Sequence, residues 1–247
     1  MNARVITVER SQPLAQAVLV RNGRIAHVGT TSEVKARTNG ARLFDAGGRA
    51  VVPGFVDAHT HIEVAVSHQT YAADVHVPPS KSIADIVEVL RRKSVDTPSG
   101  QWVIGRAGFG LQNSLPEKRL PVRQELDKAS QDHPIIIFSG RHISMLNTRG
   151  LKEIGMWDAA TARPPRGTTI HRDPAGVPTG LATEVFYFLP DFSVEQMKVA
   201  MRHHAKELVT ANGTTTIYSI PFSPNDVRAD IELQRSGELP VRIRMYY

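Results

Sequence analysis

The sequence of 247 residues contains no cysteine. Disulfide bonds and thiolate metal sites are therefore excluded, and a transition metal would have to be held by histidine and carboxylate side chains. The chain also lacks an apolar run of about 18 residues, the length that a membrane span requires. Its first residues, MNARVITVERSQ, lack the apolar core and the small-residue cleavage site of a secretory signal. These absences predict a cytoplasmic protein without a transmembrane segment.

Basic charge is present but dispersed. The formal net charge is +6, yet the longest basic run is Arg91-Arg92-Lys93, with no aromatic residues interleaved. That run lies at the end of a predicted helix, where cations interact favourably with the helix dipole. We therefore expect no nucleic-acid binding. With 41% hydrophobic and 22% charged residues, the composition is that of a globular protein with one large or two small domains.

The hydrophobic pattern changes near residue 50. Residues 1–50 alternate as β-strands do, and Asn22-Gly23 between two such runs predicts a hairpin. Further along, Ser82 precedes residues at helical spacing, and Ser193 to Gln196 has the form of a capping box. Predicted strands then alternate with predicted helices. This order indicates an α/β fold built from βα units around a parallel sheet.

The stretch VVPGFVDAHTHIE, residues 51–63, carries the clearest chemical signal. The apolar run Val51–Val56 predicts a buried strand. Residues two apart on a strand point to the same face, so His59 and His61 are expected to project together from the strand end. Two neutral imidazoles can bind one divalent ion, and zinc is the natural candidate. The alternative interpretation is a pair of partly exposed turn histidines.

Several motifs resemble one enzyme family. VVPGFVDAHTH resembles the first-strand motif of the amidohydrolase superfamily of metal-dependent hydrolases, and LVRNGRIAHVG resembles the small β-sandwich that precedes its barrel. The remaining matches resemble the amidohydrolase-3 (YtcJ-like) branch: QWVIGRAGF, LPVRQELDKAS, HPIIIFSGRHISMLN, RDPAGVPTGLATE and NGTTTIYSI. These pieces follow one another in order along nearly the whole chain.

The resemblance implies the N-terminal portion of a (β/α)8 TIM barrel, with a small β-sandwich part at residues 1–50. Residues 51–247 would belong to the barrel domain, with an insertion at about 95–190. Thr214–Ile220 would be the second barrel strand and Val241–Tyr247 the third, so that three of the eight strands are present. The last strand stops within its pattern, and both ends of the chain are expected to be cut.

The resemblance also implies a reaction. Members of the family hydrolyse a non-peptide C–N bond (amide, cyclic imide or imine type) of a small-molecule substrate, using water activated by one or two divalent ions, usually zinc. His59 and His61 match the first metal ligands. The remaining ligands and the general base are expected beyond Tyr247. Two alternatives stay open: a catalytically inactive truncated fragment, or an unrelated α/β binding protein.

Three further residues are candidates for substrate binding. His142 and Glu184 match positions of the branch, although Arg141 follows Ser139-Gly140 where the branch has an aspartate before glycine and histidine. Arg141 could pair with a substrate carboxylate, and its alternative is an exposed arginine. A loop histidine and a solvated strand-end residue are the alternatives for His142 and Glu184. The open edge of a partial barrel also predicts self-association or a homo-oligomer.

Overall fold

The computed structural model describes residues 1–246. The N-terminal part contains β1 (Arg4–Ile6), β2 (Leu14–Ala15), β3 (Ala17–Arg21), β4 (Arg24–Gly29), α1 (Thr31–Lys35) and β5 (Ala50–Val51). Strand β1 lies between β2 and β5, while β3 and β4 form a separate antiparallel pair. Asn22 and Gly23 join that pair with positive φ angles of 53° and 73°, as a type I′ hairpin turn requires. The predicted hairpin is confirmed.

The middle of the chain contains a strand and a helix, followed by a six-stranded sheet with its helices. Its elements are β6 (Phe55–Thr60), α2 (Ile62–Tyr71), β7 (Ala73–Asp74), α3 (Ile83–Val95), β8 (Val103–Ala107), α4 (Leu111–Ser114), α5 (Arg123–Leu126), β9 (Ile135–Ser139), β10 (Ile143–Leu146), α6 (Thr148–Glu153), β11 (Thr169–Arg172) and β12 (Pro178–Thr183). All except β6 and α2 belong to a six-stranded unit with the order β11-β12-β10-β9-β8-β7. The first strand of this sheet begins before residue 95, where the sequence placed the start of an insertion.

The rest of the chain returns to β6. A 3₁₀ turn (Phe186–Phe188) leads into α7 (Val194–Leu208), a second 3₁₀ turn (Thr210–Asn212), β13 (Thr214–Ser219), α8 (Pro224–Ser236) and β14 (Arg242–Met245). Strands β6, β13 and β14 form a parallel sheet in which β13 is central. The predicted second and third strands are thus observed with slightly shorter bounds. Tyr247, the last residue of the predicted third strand, lies outside the described residues.

Local capping chemistry explains where the long helices begin. The Ser82 hydroxyl accepts a hydrogen bond from the Asp85 amide at the start of α3. Ser193 and Gln196 form the predicted capping box of α7. Helices α2, α7 and α8 then bury one apolar cluster against the parallel sheet: Ile62, Val66, Met197, Met201, Ala229, Leu233, Ile217 and Ile243. Among the helices that the structure describes, none is long and apolar enough to cross a membrane.

The apolar run Val51–Val56 is not the buried strand that the sequence predicted. Strand β6 starts only at Phe55, and the Phe55 and Val56 side chains are 57% and 59% exposed. The reason is topological, since β6 is the edge strand of its sheet and no element within residues 1–246 covers its outer side. Gly54 precedes it because a Cβ at this position would collide with the Thr215 side chain.

Candidate active site

The two histidines meet at the carboxyl end of β6. His59 lies within β6 and His61 is the N-cap residue of α2, with ring centroids 5.2 Å apart and nearly perpendicular rings. The His61 Nδ1–H donates to the Ile220 carbonyl at 3.2 Å. This hydrogen bond fixes the tautomer and leaves Nε2 free to bind a ligand. Asp57 accepts the His59 backbone amide at 3.1 Å, so its carboxylate supports the strand end.

Neighbouring strands hold the end of β6 in place. The Ser219 hydroxyl lies 2.6 Å from Glu63 Oε2, to which it donates a hydrogen bond, and 3.4 Å from the Thr60 carbonyl. The Tyr246 hydroxyl donates to the Ala58 carbonyl at 3.2 Å. These contacts come from β13 and from the end of β14, and they brace the segment that carries both histidines.

A cavity of about 430 Å³ opens beside His61, at the carboxyl ends of β6 and β13. Its other wall comes from the six-stranded sheet and from the 3₁₀ turn that follows it. The lining combines apolar and polar side chains, among them His61, Glu63, His68, Phe138, Arg141, Phe186, Phe222 and Asp226. A mainly apolar cavity with a few converging polar groups is the usual form of a small-molecule site.

Three buried acids lie under this cavity, and the sequence analysis missed them. Glu63 and Asp230 are each 1% exposed, and Asp226 is also buried. Burial raises the pKa of Asp230 to about 9, and repulsion from Glu63 acts in the same direction. Burial and the neighbouring Glu63 carboxylate therefore favour the protonated form of Asp230 at neutral pH. The available signal was the spacing of Asp226 and Asp230, which places both acids on the apolar stripe of α8 with Ala229 and Leu233.

His68 is a second residue that the sequence left unassigned. Its ring stacks on Phe138 with centroids 5.5 Å apart. Burial lowers the pKa of His68 to about 4, and the charges of Arg106 and Arg141 add to the effect. The imidazole is therefore neutral at physiological pH. It follows His61 by two helical turns of α2, a spacing that places both residues on one side of the helix.

Arg141 lines the same cavity as His61. Its guanidinium carbon lies 3.7 Å from the Phe186 ring centre and 3.3 Å from the Phe222 ring centre. The side chain is half-buried, and burial lowers its pKa to about 10. The sequence left open an exposed arginine at this position, and the structure has a half-buried one instead.

His142 and Glu184 come together beside the cavity. The His142 Nδ1–H donates to Glu184 Oε1 at 2.6 Å, and the Glu184 amide donates to the His142 carbonyl at 3.1 Å. The His142 side chain is exposed, and neither residue lines the cavity itself. The structure thus joins two of the predicted substrate-binding residues to each other and places the third, Arg141, against the cavity.

The candidate metal donors at this strand end are the imidazoles of His59 and His61. Within residues 1–246, no group of three or more histidine, aspartate or glutamate side chains is arranged to hold a metal ion. Structural and catalytic zinc sites use at least three protein ligands. His59 and His61 therefore fit two of the three or more ligand positions that a zinc site needs.

The fold of this chain is similar to that of solved metal-dependent hydrolases. Over its full length the chain superposes on an uncharacterised metal-dependent hydrolase from Pyrococcus horikoshii OT3, with a TM-score of 0.70, 20% identity and 47% of that chain covered. The model of the amidohydrolase family, Amidohydro_3, matches residues 42–245. The chain belongs to the amidohydrolase family.

Two relatives show how far the likeness extends. N-substituted formamide deformylase from Arthrobacter pascens is 38% identical over 186 residues, which are 74% of this chain and 33% of that protein. YtcJ from Bacillus subtilis is 24% identical over 199 residues, or 79% of this chain and 36% of that protein. The chain thus spans about a third of the length of these relatives.

Proposed function

We propose that this chain is the N-terminal portion of a metal-dependent hydrolase that cleaves a non-peptide C–N bond in a small-molecule substrate. The observation that carries the proposal is the pair of His59 and His61 at the carboxyl end of β6, with the free Nε2 of His61 beside a cavity of about 430 Å³. Membership of the amidohydrolase family supports the C–N bond as the target.

The architecture that we propose is a partial (β/α)8 barrel. Three neighbouring parallel strands follow one another in sequence order, β6, β13 and β14, as the first strands of such a barrel do. Residues 1–50 are the β-sandwich part and residues 51–247 the barrel part. The six-stranded unit of Ala73–Thr183 is the insertion between the first two barrel strands.

The proposed roles follow from the contacts. His59 and His61 would hold a divalent ion, with zinc as our candidate, and the Ile220 carbonyl keeps the His61 ring oriented. Such an ion supplies Lewis acidity, which makes water nucleophilic at neutral pH. Arg141 binds the substrate in the cavity, while His142 and Glu184 shape its rim. The general base and the other metal ligands belong to the rest of a cytoplasmic enzyme that does not bind nucleic acid.

Metal content measured on the purified chain tests this proposal. We expect zinc to bind the wild type and to be lost in the double variant His59→Ala/His61→Ala. The matched control is His203→Ala/His204→Ala, which removes an adjacent histidine pair from α7, far from the cavity lining. The control should keep wild-type zinc, as measured by inductively coupled plasma mass spectrometry after dialysis. Equal zinc in all three proteins would contradict the proposal, as would the absence of zinc both from the wild-type chain and from a chain extended past Tyr247.

Hydrolysis tests the bond that is cleaved. Amine release is measured with a panel of N-substituted formamides and other secondary amides, and ring opening to the carboxylate-amide is measured with cyclic imides, with zinc added in each case. Activity on any member that depends on His59 and His61 supports a C–N hydrolase. Activity that survives the double variant would show that these histidines do not carry the reaction.

A further inference from the structure

The environment of Arg141 is unusual for a cation. Its guanidinium is stacked on the rings of Phe186 and Phe222 at 3.7 and 3.3 Å. Its Nε is buried without a hydrogen-bond partner, and nothing in residues 1–246 forms a hydrogen bond or an ion pair with the guanidinium. The rings stabilise the cation and fix its plane. They leave its N–H groups without acceptors.

The acids nearest to Arg141 are engaged elsewhere. Glu184 and Asp226 favour the charged form of Arg141 through space, but neither forms an ion pair with it. Glu184 accepts a hydrogen bond from His142 at 2.6 Å. Asp226 Oδ2 accepts the backbone amides of Phe222 and Ser223, each at 3.1 Å. Both carboxylates thus hydrogen-bond to other groups, and neither forms a hydrogen bond or an ion pair with the guanidinium.

A half-buried cation without a partner destabilises a fold, because its desolvation is not repaid by a hydrogen-bonded anion. A ligand that supplies an anion and hydrogen-bond acceptors to the guanidinium would explain why the fold keeps this cation. The planar fork of a guanidinium matches a carboxylate in a bidentate arrangement. The cavity around it supplies apolar surface from Phe138, Phe186 and Phe222.

We propose that Arg141 is the anion-binding residue of this cavity, and that the substrates are amides carrying a carboxylate beside an apolar group. This inference rests on the proposed function, because only a hydrolase would have a substrate in this cavity. It adds to that function the chemical class of the substrate. Arg141 acts in binding and specificity, while His59 and His61 lie at the position of the reacting bond.

The geometry also limits the size of the substrate. A single ring, that of Phe222, contacts both ends of the site: it lies 3.3 Å from the Arg141 guanidinium carbon and 4.7 Å from the centre of the His61 ring. The Arg141 guanidinium carbon and the His61 ring centre therefore lie at most about 8 Å apart. An N-acyl amino acid has this short separation between its amide carbonyl and its carboxylate.

Binding of a charged and a neutral probe tests the inference. Hippurate carries an amide, a phenyl ring and a carboxylate, and hippuramide differs from it only in having a neutral amide in place of the carboxylate. Isothermal titration calorimetry on the purified chain should show hippurate binding at least about tenfold more tightly, as expected for hydrogen bonds between ionised groups. Arg141→Met should abolish that preference and leave hippuramide binding unchanged.

Two further variants separate this role from a structural one. Arg141→Lys keeps the charge without the bidentate fork, so an intermediate preference for hippurate is expected. Arg228→Met removes an exposed arginine of α8 that does not line the cavity, and it should retain the full preference. Thermal unfolding gives a readout of folding, in which Arg141→Met should melt at the wild-type temperature or above.

The outcomes are distinct from those of the zinc experiment. A preference for hippurate that needs Arg141 supports the anion site even in a chain that binds no zinc. Equal binding of the two probes by the wild type would overturn the inference, even if His59 and His61 hold zinc and amides are hydrolysed. A lower melting temperature of Arg141→Met with an unchanged preference would assign Arg141 to stability and would also overturn it.

Discussion

The Nδ1 atom of His142 lies 2.6 Å from Oε1 of Glu184, across the end of the β10–β12 strand pair. Glu184 reaches this position with a φ of 54°, in the left-handed region that residues other than glycine and asparagine avoid. Strained backbone often marks functional positions, where the geometry matters more than stability. The pair thus combines a short hydrogen bond with a strained residue, directly after Arg141 of the cavity lining.

Glu184→Asn should give a more stable protein than Glu184→Gln. Both variants remove the negative charge of the carboxylate and keep an amide oxygen as acceptor, but asparagine tolerates a positive φ better than glutamine does. The expected difference in unfolding free energy is about 0.5–1 kcal/mol, since the left-handed conformation costs about 1–2 kcal/mol for most residues. Urea denaturation of both variants measures it. Identical midpoints would show that position 184 relaxes without strain.

Local signals in the sequence predicted much of the architecture. N-cap serines such as Ser82 and Ser193 act on amides three residues away, so the helix starts follow from short sequence windows. The two-residue period likewise predicted that His59 and His61 would project together from one strand end, and their ring centroids lie 5.2 Å apart. Both signals depend only on neighbours in the chain.

The rest depends on contacts between distant segments. The setting of Arg141 is created by Phe186 and Phe222, which other parts of the chain bring against it. Likewise, the apolar residues Val51–Val56 indicate a strand but not which element covers it. In the structure β6 is an edge strand, and much of this run is exposed. Hydrophobicity reports a preference for burial, and topology decides whether burial is achieved.

His68 should make the protein sensitive to acid. Its pKa is lowered to about 4 in the fold by burial, against an ordinary value of about 6.5 in the unfolded chain. The unfolded state therefore binds more protons between these values, and stability contributed by neutral His68 is lost as pH falls through that window. His68→Phe keeps an aromatic ring against Phe138 and removes the titration. Wild type should lose about 2 kcal/mol more than this variant between about pH 7 and about pH 4.5.

The test is a series of urea denaturation curves at pH values across that range. Parallel losses of unfolding free energy in wild type and His68→Phe would contradict a buried neutral imidazole. Because each protein is compared with itself at different pH values, any constant effect of the Phe side chain on the free energy of unfolding cancels. Only the difference in pH slope reports on His68.

Asp230 should act in the opposite direction. Burial and Glu63 raise its folded pKa to about 9, far above the value of about 4 expected when unfolded. The folded state then binds more protons between these limits, so stability falls as pH rises from about 4 to about 9. Asp230→Asn removes this titration and keeps a side chain of nearly the same size. Its stability relative to wild type should therefore increase steadily with pH.

Denaturation midpoints at about pH 5, pH 7 and pH 8.5 measure this trend. Asp132→Asn is the control, because it removes one negative charge from an exposed position without changing the buried acids. The same pH trend in both variants would mean that net charge, and not the buried Glu63–Asp230 pair, is responsible. A trend confined to Asp230→Asn supports a buried, protonated Asp230.

The exposed edge at β6 should make the chain associate with itself. Phe55 and Val56 are 57% and 59% exposed on the edge strand of a parallel sheet, and unpaired strand edges with apolar side chains pair with other chains. Phe55→Lys should shift the population toward monomer in sedimentation velocity, because a charge on an edge strand opposes pairing. The control is Val95→Lys, which changes another exposed apolar residue. Val95 is 74% exposed at the end of helix α3 rather than on a strand edge, so this variant should leave association unchanged. A wild-type chain that stays monomeric at high concentration would show that this edge is too short or too twisted to pair.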